Sequence, residues 1–541
     1  MKSIKFNGLA MISLLALSGL AGCNRSSAKD EYDEKGRLIL RVKNVYFDTW
    51  EGEDNYTEFL NEKFGVKIVA STYDYADWDG AVNTAMNANN LTDVVHFNLK
   101  AYNFGSTYAK WVDDMMIKPL PKKMSKWPNL NKLIENTTNV ESLMIDDKLY
   151  GIPIANDISN PGKDFSNFTY MYRRDIAKAI DAKNANVPDY VPVYKQGDVY
   201  TWDEFLRLVE AFKANLKDTK SSVLVDEEWG FPSITNFYKD APHCYTKDEN
   251  GKAINAFTSP KYIEGLEKSK EFVSNKYYSQ DQFNFAANKA KEYYMGDKAC
   301  ILYDNYSLTN YITRRAEFKK GHKDVNLDDG TALLKVKGPD GKFALEGIEN
   351  WFAMTMFNYD ISTKKQEKIL DIMEYLLTEE GTRLAIYGLE GYDYNIVDGK
   401  VELTEQGWEK GSDGKYGPKI NGAKYLRYMA TLGNDTKPFD PYTEADQDAF
   451  DTINNWIGEM KTAKENGQLR VFKTPGDIEW MSTPTKDNKT ESILYDANTF
   501  AARYCFGKDD VIKTIEDYKN EFNKDVSWSR ILNEINEKLG K

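Results

Sequence analysis

The sequence predicts an α/β fold whose sheets are mostly parallel and flanked by helices. Three observations lead there. β-prone runs alternate with amphipathic runs from Leu38 onward, capping signals stand at the helix starts, and 541 residues suffice for two or three domains with cores of their own.

Leu38 to Phe47 reads as the first strand, with Ile39 and Val42 to Phe47 as apolar or β-prone members. Asp54 can cap a helix with Tyr56, Phe59, Leu60 and Phe64 on one face, and Gly65 ends it. Val66 to Val69 is a second strand, Trp78 to Met86 a helix and Asp93 to Phe97 a third strand. Strands and helices in that rhythm pack as a parallel sheet covered on both faces. The pattern changes near Gly151-Ile152-Pro153. Beyond it Phe168 to Tyr172 is strand-like and Arg174 to Ala182 helical. Thr201-Trp202-Asp203-Glu204 is a capping box, and its helix carries Phe205, Leu208, Val209 and Phe212 on one face. Ser259-Pro260 opens another helix with proline at its first position. A long one starts near Thr363 and carries Ile369, Leu370, Met373, Leu376 and Leu377. Gly411 to Gly414 and Asn434 to Pro438 read as loops, and helices around Ile512 to Phe522 and Trp528 to Leu539 finish the chain. Asp248 to Gly251 and Asp328-Asp329-Gly330 lack the spaced ligands of a calcium loop and read as hairpin turns. No internal repeat is evident.

The chain opens with Lys2 and Lys5, then an apolar stretch from Leu9 to Leu17 that is too short to span a bilayer. It ends in Leu20-Ala21-Gly22-Cys23, which resembles the lipobox of bacterial lipoproteins, where small residues admit a protease and the thiol receives lipid. Cys23 is the expected lipidation site and residues 1–22 the signal peptide. Residues 23–37, polar and without periodicity, are expected to be a flexible tether. Everything beyond is expected to lie outside the cell, anchored to the membrane through Cys23.

Cleavage before Cys23 leaves 519 of the 541 residues, and loss of Lys2 and Lys5 takes the formal charge from −13 to −15. Such a surface repels phosphate backbones, so no nucleic-acid partner is expected. Cys244, Cys300 and Cys505 form no disulfide framework, and buried free thiols are the plainer reading over a single bridge. His96, His243 and His322 are scattered, with no triad or zinc spacing, and neither metal nor cofactor is expected. Aromatics make up 13%, with 35 tyrosines; a single ring is most often core, so the excess counts only in aggregate.

Several segments, in order, carry a family likeness. Asn89 to Phe97 (NNLTDVVHF) stands where the family has "gdlPDvi", with leucine-threonine replacing leucine-proline. Lys148 to Pro153 matches "k-x-yGiP", Tyr170 to Asp175 "l-y-Y-r-k-D", and Thr201 to Phe205 "T-w-d-E-f". Tyr294 to Cys300 is similar to "f-x-x-GkaAm", Leu377 to Gly381 to "l-t-s-e-eG", Tyr387 to Tyr392 to "y-G-i-e-G-y", and Phe506-Gly507-Lys508 to the closing "f-i-x-G" region. The chain thus resembles the extracellular solute-binding proteins of carbohydrate ABC transporters (family 1, the maltose-binding-protein type), in the long lipoprotein subgroup of Gram-positive bacteria. The resemblance implies a two-lobed periplasmic-binding-protein-like fold (type II) with the solute at the hinge. It implies an N-lobe of 38–156 and 347–440 and a C-lobe of 157–346 and 441–541, with the second crossing beginning at Gly347. It implies a monomer that captures a carbohydrate, an oligosaccharide in the first place, and delivers it to transmembrane permease subunits.

A sugar needs fixed polar groups for its hydroxyls and flat apolar partners for its ring faces, and in α/β sheets such groups stand beyond the carboxyl ends of strands. On that ground the candidates are Asp48 and Trp50 after the first strand, Asn98 (with Asn103) after the third, and Asp157 and Tyr172 at the first crossing. Asn236, Tyr238, Asn305 and Tyr306 stand in the second lobe and Trp351 in the second crossing. The resemblance makes Tyr306 a stacking residue. Two other functions stay open at this point. A secreted glycosidase or lyase would need paired carboxylates, which 84 Asp and Glu residues permit, although no signature stands out. A binding protein for a non-sugar solute such as a peptide would have similar length.

Overall fold

The computed structural model describes residues 30–47, 50–74, 77–98, 104–155, 163–216, 221–227, 232–242, 245–279, 281–282, 288–398, 400–410, 416–418, 421–432, 444–479, 481, 483–486, 500–525 and 527–540. Cys23, Asp48, Asn103, Asp157, His243, Cys244 and the two loops expected at Gly411 to Gly414 and Asn434 to Pro438 lie outside them.

In chain order the elements that frame the molecule begin with β1 (Leu38–Asn44), α1 (Asn55–Phe64), β2 (Val66–Thr72), α2 (Trp78–Asn87), β3 (Val94–Asn98), β4 (Ile117–Lys118) and β5 (Gly151–Ala155). Then follow β6 (Phe168–Arg173), α3 (Arg174–Asn184), β7 (Val199–Tyr200), α4 (Trp202–Ala214), β8 (Ser222–Asp226), α5 (Pro260–Ser274) and α6 (Lys289–Met295). Next come β9 (Ala299–Asn305), α7 (Leu308–Gly321), β10 (Thr331–Val336), β11 (Phe343–Glu346), β12 (Trp351–Asn358) and α8 (Thr363–Leu376). The last are α9 (Gly422–Arg427), α10 (Glu444–Glu465), β13 (Leu469–Phe472), α11 (Val511–Asp525) and α12 (Trp528–Leu539).

Local chemistry accounts for the boundaries. The Asp54 side chain accepts from the Thr57 amide to start α1, and Gly65 ends it with φ 65°, a left-handed conformation that costs glycine little. Both halves of the Thr201–Glu204 capping box are formed. The Asp248 turn joins two short antiparallel strands, as the sequence predicts. Asp328 to Gly330 differs. It is a helical turn capped by Asn326, whose side chain satisfies the Asp328 and Asp329 amides and favours helix over hairpin. Part of the expected tether is also structured, because Arg37 ties Asp33 to Glu58 on α1 and Tyr32 bridges Leu38.

Two sheets form. The first has the order β2-β1-β3-β12-β4, with β5 also on β12; the second has the order β8-β9-β6-β10-β7. Apolar clusters cover both faces of each. Val94 and Val95 belong to opposite cores in the first lobe, Met171 and Tyr172 to opposite cores in the second. The lobes of the two-lobed α/β architecture are therefore closed units. Their sheets are more mixed than expected. β12 runs antiparallel to β3, β4 and β5, and β6 antiparallel to β9 and β10. The reason is that β6 and β12 each enter their sheet directly from the other lobe, without the crossover helix that a parallel neighbour requires.

The connections between lobes lie side by side. Ala155, ending β5, exchanges backbone hydrogen bonds with Ala430 and Leu432 (both 3.1 Å). Ser166 donates to the Glu346 carbonyl (2.8 Å), and Gly347 to that of Phe472 (2.8 Å). A Cβ on Gly347 would stand 2.8 Å from the Lys473 Cβ, so only glycine allows this approach. Beside it Glu349 is buried, accepting from the Thr138 hydroxyl (2.7 Å) of the first lobe and pairing with Lys473 (2.5 Å).

Candidate interlobe binding site

Strand direction fixes which edges meet. Asn98 at the end of β3 pairs with Ala353 near the start of β12, and Ala155 at the end of β5 pairs with Trp351. The carboxyl edge of the first sheet therefore adjoins the hinge. In the second, Asn305 at the end of β9 pairs with Phe168 at the start of β6, and the Tyr306 amide donates to Asn167 in the first crossing (3.0 Å). Its carboxyl edge adjoins the hinge too. Both edges thus border the crossings between the lobes, the position that α/β proteins use for ligands.

The first edge is aromatic. Trp50 stacks on Tyr425 (5.4 Å between centroids, 20° between planes), and Tyr428 stands edge-on to both Tyr425 and Tyr46. All four rings are half-buried, leaving part of each surface to solvent. The platform is held from behind. Asp54 accepts from Trp50 Nε1 (3.1 Å) and from the Gly422 amide (2.8 Å), so one carboxylate fixes both the indole and the start of α9. A side chain at Gly422 would collide with Thr57, Asp54 and the Trp50 ring. Beneath Tyr46, His96 lies fully buried against Trp78 (4.6 Å), with no hydrogen bond to either ring nitrogen. Burial lowers its pKa to about 3, and it is a neutral aromatic support.

The second edge is polar and charged. Asp226 ends β8 fully buried, accepting from the Ser233 amide, the Ser233 hydroxyl and the Tyr278 hydroxyl, each at 2.8 Å. These bonds pin the turn of Ser233–Phe237, and desolvation pushes the Asp226 carboxyl up to about 7. Glu227, next in the chain, meets Lys291 of α6 at 3.4 Å, and Asp304 near the end of β9 accepts from Arg314 of α7 at 3.1 Å.

Of the residues expected at the site, Trp50 and Asn98 stand on the first edge and Asn305 on the second, each half-buried. Asn236 is mostly buried, its amide donating to the Tyr303 hydroxyl (2.7 Å), and Tyr238 lies edge-on to Trp202. Three others are core residues. Tyr172 is 0% exposed with its hydroxyl on Asp198, Tyr306 is 1% exposed with its hydroxyl on the Leu302 carbonyl, and Trp351 is 0% exposed with Nε1 on the Thr138 carbonyl. In this structure each of these rings is packed inside an apolar cluster and leaves no face to solvent. Tyr46, Tyr425, Tyr428 and Glu227 were not singled out from the sequence. The spacing of Tyr425 and Tyr428, three apart behind the cap Asn421, was the available signal. Among the described residues no group of three or more His, Cys, Asp or Glu is arranged to hold a metal ion.

The sequence matches the bacterial extracellular solute-binding protein family over residues 55–392. The chain belongs to that family. No curated protein matches it at the sequence level. Among solved structures this solute-binding protein is similar to an extracellular solute-binding protein from Bifidobacterium longum subsp. infantis (TM-score 0.62, 12% identity, 93% of this chain and 100% of that one). It is also similar to an HMO-binding, ABC-transporter-associated solute-binding protein from Bifidobacterium longum infantis (TM-score 0.60, 14%, 92% and 98%). A third is the S. pneumoniae ABC-transporter substrate-binding protein FusA in complex with kestose (TM-score 0.53, 14%, 93% and 99%). These likenesses establish a common two-lobed fold. As a member of an extracellular family of binding proteins, the chain works outside the cytoplasm by holding a solute.

Proposed function

We propose that this solute-binding protein captures a carbohydrate, in the first place an oligosaccharide, and delivers it to an ABC transporter permease while tethered by lipid on Cys23. The observation that carries the reading is the half-buried aromatic platform of Tyr46, Trp50, Tyr425 and Tyr428 on the interlobe edge. Stacked rings with one side still solvated fit the apolar C–H faces of sugar rings, while the opposite edge supplies acceptors for hydroxyls. Asn98 and Asn305 complete the polar rim in this reading, and Asp48 and Asp157, next to it in sequence, remain candidates. The ligands named for FusA and for the Bifidobacterium protein are also saccharides. Hinge closure over the solute would then present one closed shape to the permease.

The test is thermal denaturation of the protein beginning at Cys23 against a glycan panel, followed by calorimetry on whatever stabilises it. A glycan that raises the midpoint, binds the unmodified protein and is returned without cleavage supports the reading. Stabilisation by peptides and by no glycan would overturn it, and release of shortened glycans would favour the hydrolase alternative.

A further inference from the structure

At the carboxyl ends of β8 and β9 a compact charge cluster forms. Lys291 reaches Glu227 Oε2 (3.4 Å), the Asn288 side-chain oxygen (3.0 Å) and Asp304 Oδ2 (3.9 Å). Arg314 reaches Asp304 (3.1 Å) and Glu317 (2.8 Å). Both cations are therefore spent on carboxylates already present. One carboxylate oxygen is not spent. Glu227 is 4% exposed, and its Oε1 is buried with no hydrogen-bond partner. Desolvation raises the Glu227 pKa despite the nearby Lys291. A buried, unsatisfied carboxylate oxygen is costly unless a donor arrives with something else.

Building on the carbohydrate reading, we infer that Glu227 Oε1 accepts a hydroxyl of the bound saccharide and that the cluster selects neutral glycans over acidic ones. A hydroxyl donates to Oε1 and satisfies it. A uronate or sialate carboxylate has no proton to give at neutral pH, would be repelled by Glu227 and Asp304, and would find neither Lys291 nor Arg314 unengaged. The chemistry that fits is thus a neutral sugar whose hydroxyl enters the second lobe while a ring face rests on the first.

The experiment sets neutral oligosaccharides (fructo-, manno-, xylo- and lacto-series) against uronic-acid and sialylated oligosaccharides of matched length, by calorimetry on the unmodified protein and on Glu227→Gln. Tighter binding of neutral members is expected, with roughly a 10- to 100-fold loss for them in Glu227→Gln and none for acidic members. Acidic glycans binding as well as neutral ones, or neutral affinity unchanged in Glu227→Gln, would overturn the inference while leaving the carbohydrate reading intact. If no glycan of either class binds, the carbohydrate reading falls, and this inference with it. Should Glu227→Gln not fold, the neutral-to-acidic ratio of the unmodified protein decides alone.

Discussion

Replacing Tyr306 with alanine separates a core role from a binding role. The side chain is 1% exposed, sits edge-on to Tyr311 at 6.2 Å and donates its hydroxyl to Leu302 at 3.2 Å. Truncating a fully buried aromatic removes its apolar contacts and leaves a cavity that the rigid surroundings fill only in part, costing about 3–5 kcal/mol. In a lobe of this size each kcal/mol moves the melting midpoint by roughly 2–4 °C, so a fall on the order of 10 °C is expected. Tyr306→Phe keeps the ring and loses one hydrogen bond, about 1 kcal/mol, and should fall by a few degrees only. Calorimetric melting gives the stability, and glycan titration well below the lowered midpoint gives the affinity. Glycan affinity should survive in both variants. An unchanged midpoint with lost affinity in Tyr306→Ala would refute the argument and make the ring a stacking surface.

On the opposite edge, Trp50→Ala should lower glycan affinity by roughly tenfold and stability by less than a fully buried ring would, because the half-buried indole packs on Phe47 and Tyr425 and bonds Asp54 while leaving part of its surface to solvent; equal affinity by titration calorimetry would count against the platform. Lys473→Met leaves the Glu349 carboxylate buried beside Thr138 without its cation, at a cost of about 1–3 kcal/mol seen in thermal melting. The two lobes should also answer acid in opposite ways. His96 stays neutral in the fold down to about pH 3, whereas the unfolded chain takes up a proton below 6.5. Its stability contribution is therefore present above 6.5 and lost on acidification, on the order of 3 kcal/mol by pH 4, and His96→Phe should remove that loss. Asp226 keeps its proton in the fold up to about pH 7 but loses it near 3.8 when unfolded. Stability is then greatest below 3.8 and declines as pH rises toward 7, a decline that Asp226→Asn should flatten in denaturant midpoints measured across that range.

What the sequence disclosed was mainly local. The Asp54 cap, the Gly65 stop, the Thr201–Glu204 box and the bounds of α12 are each written within a few neighbouring residues. Strand direction was not, since nothing in Trp351 to Asn358 says that this segment inserts between β3 and β4. The site was half legible. Trp50 follows the first strand and Tyr306 follows β9, yet Tyr306 is packed in a core, as are Tyr172 inside β6 and Trp351 at the start of β12. In β6 five of the six residues are buried, so no alternation marks which face a ring belongs to. The Glu227–Lys291 contact joins residues far apart in sequence, and only the packing of α6 on the second sheet brings them together.

The placement of β12 bears on how the protein is made. This strand lies inside the first sheet, yet it follows every strand of the second sheet in the chain. While the polypeptide emerges from a membrane, the first sheet stays incomplete, with the open flank of β3 exposed, until residues beyond Asn358 have crossed. The second sheet can close earlier, since β6 to β10 are contiguous. Long-range pairing of this kind slows folding and leaves a sticky strand waiting for its neighbour. A chain cut short before Trp351 would thus be an aggregation hazard, whereas one stopped after Asn358 would already carry both central sheets.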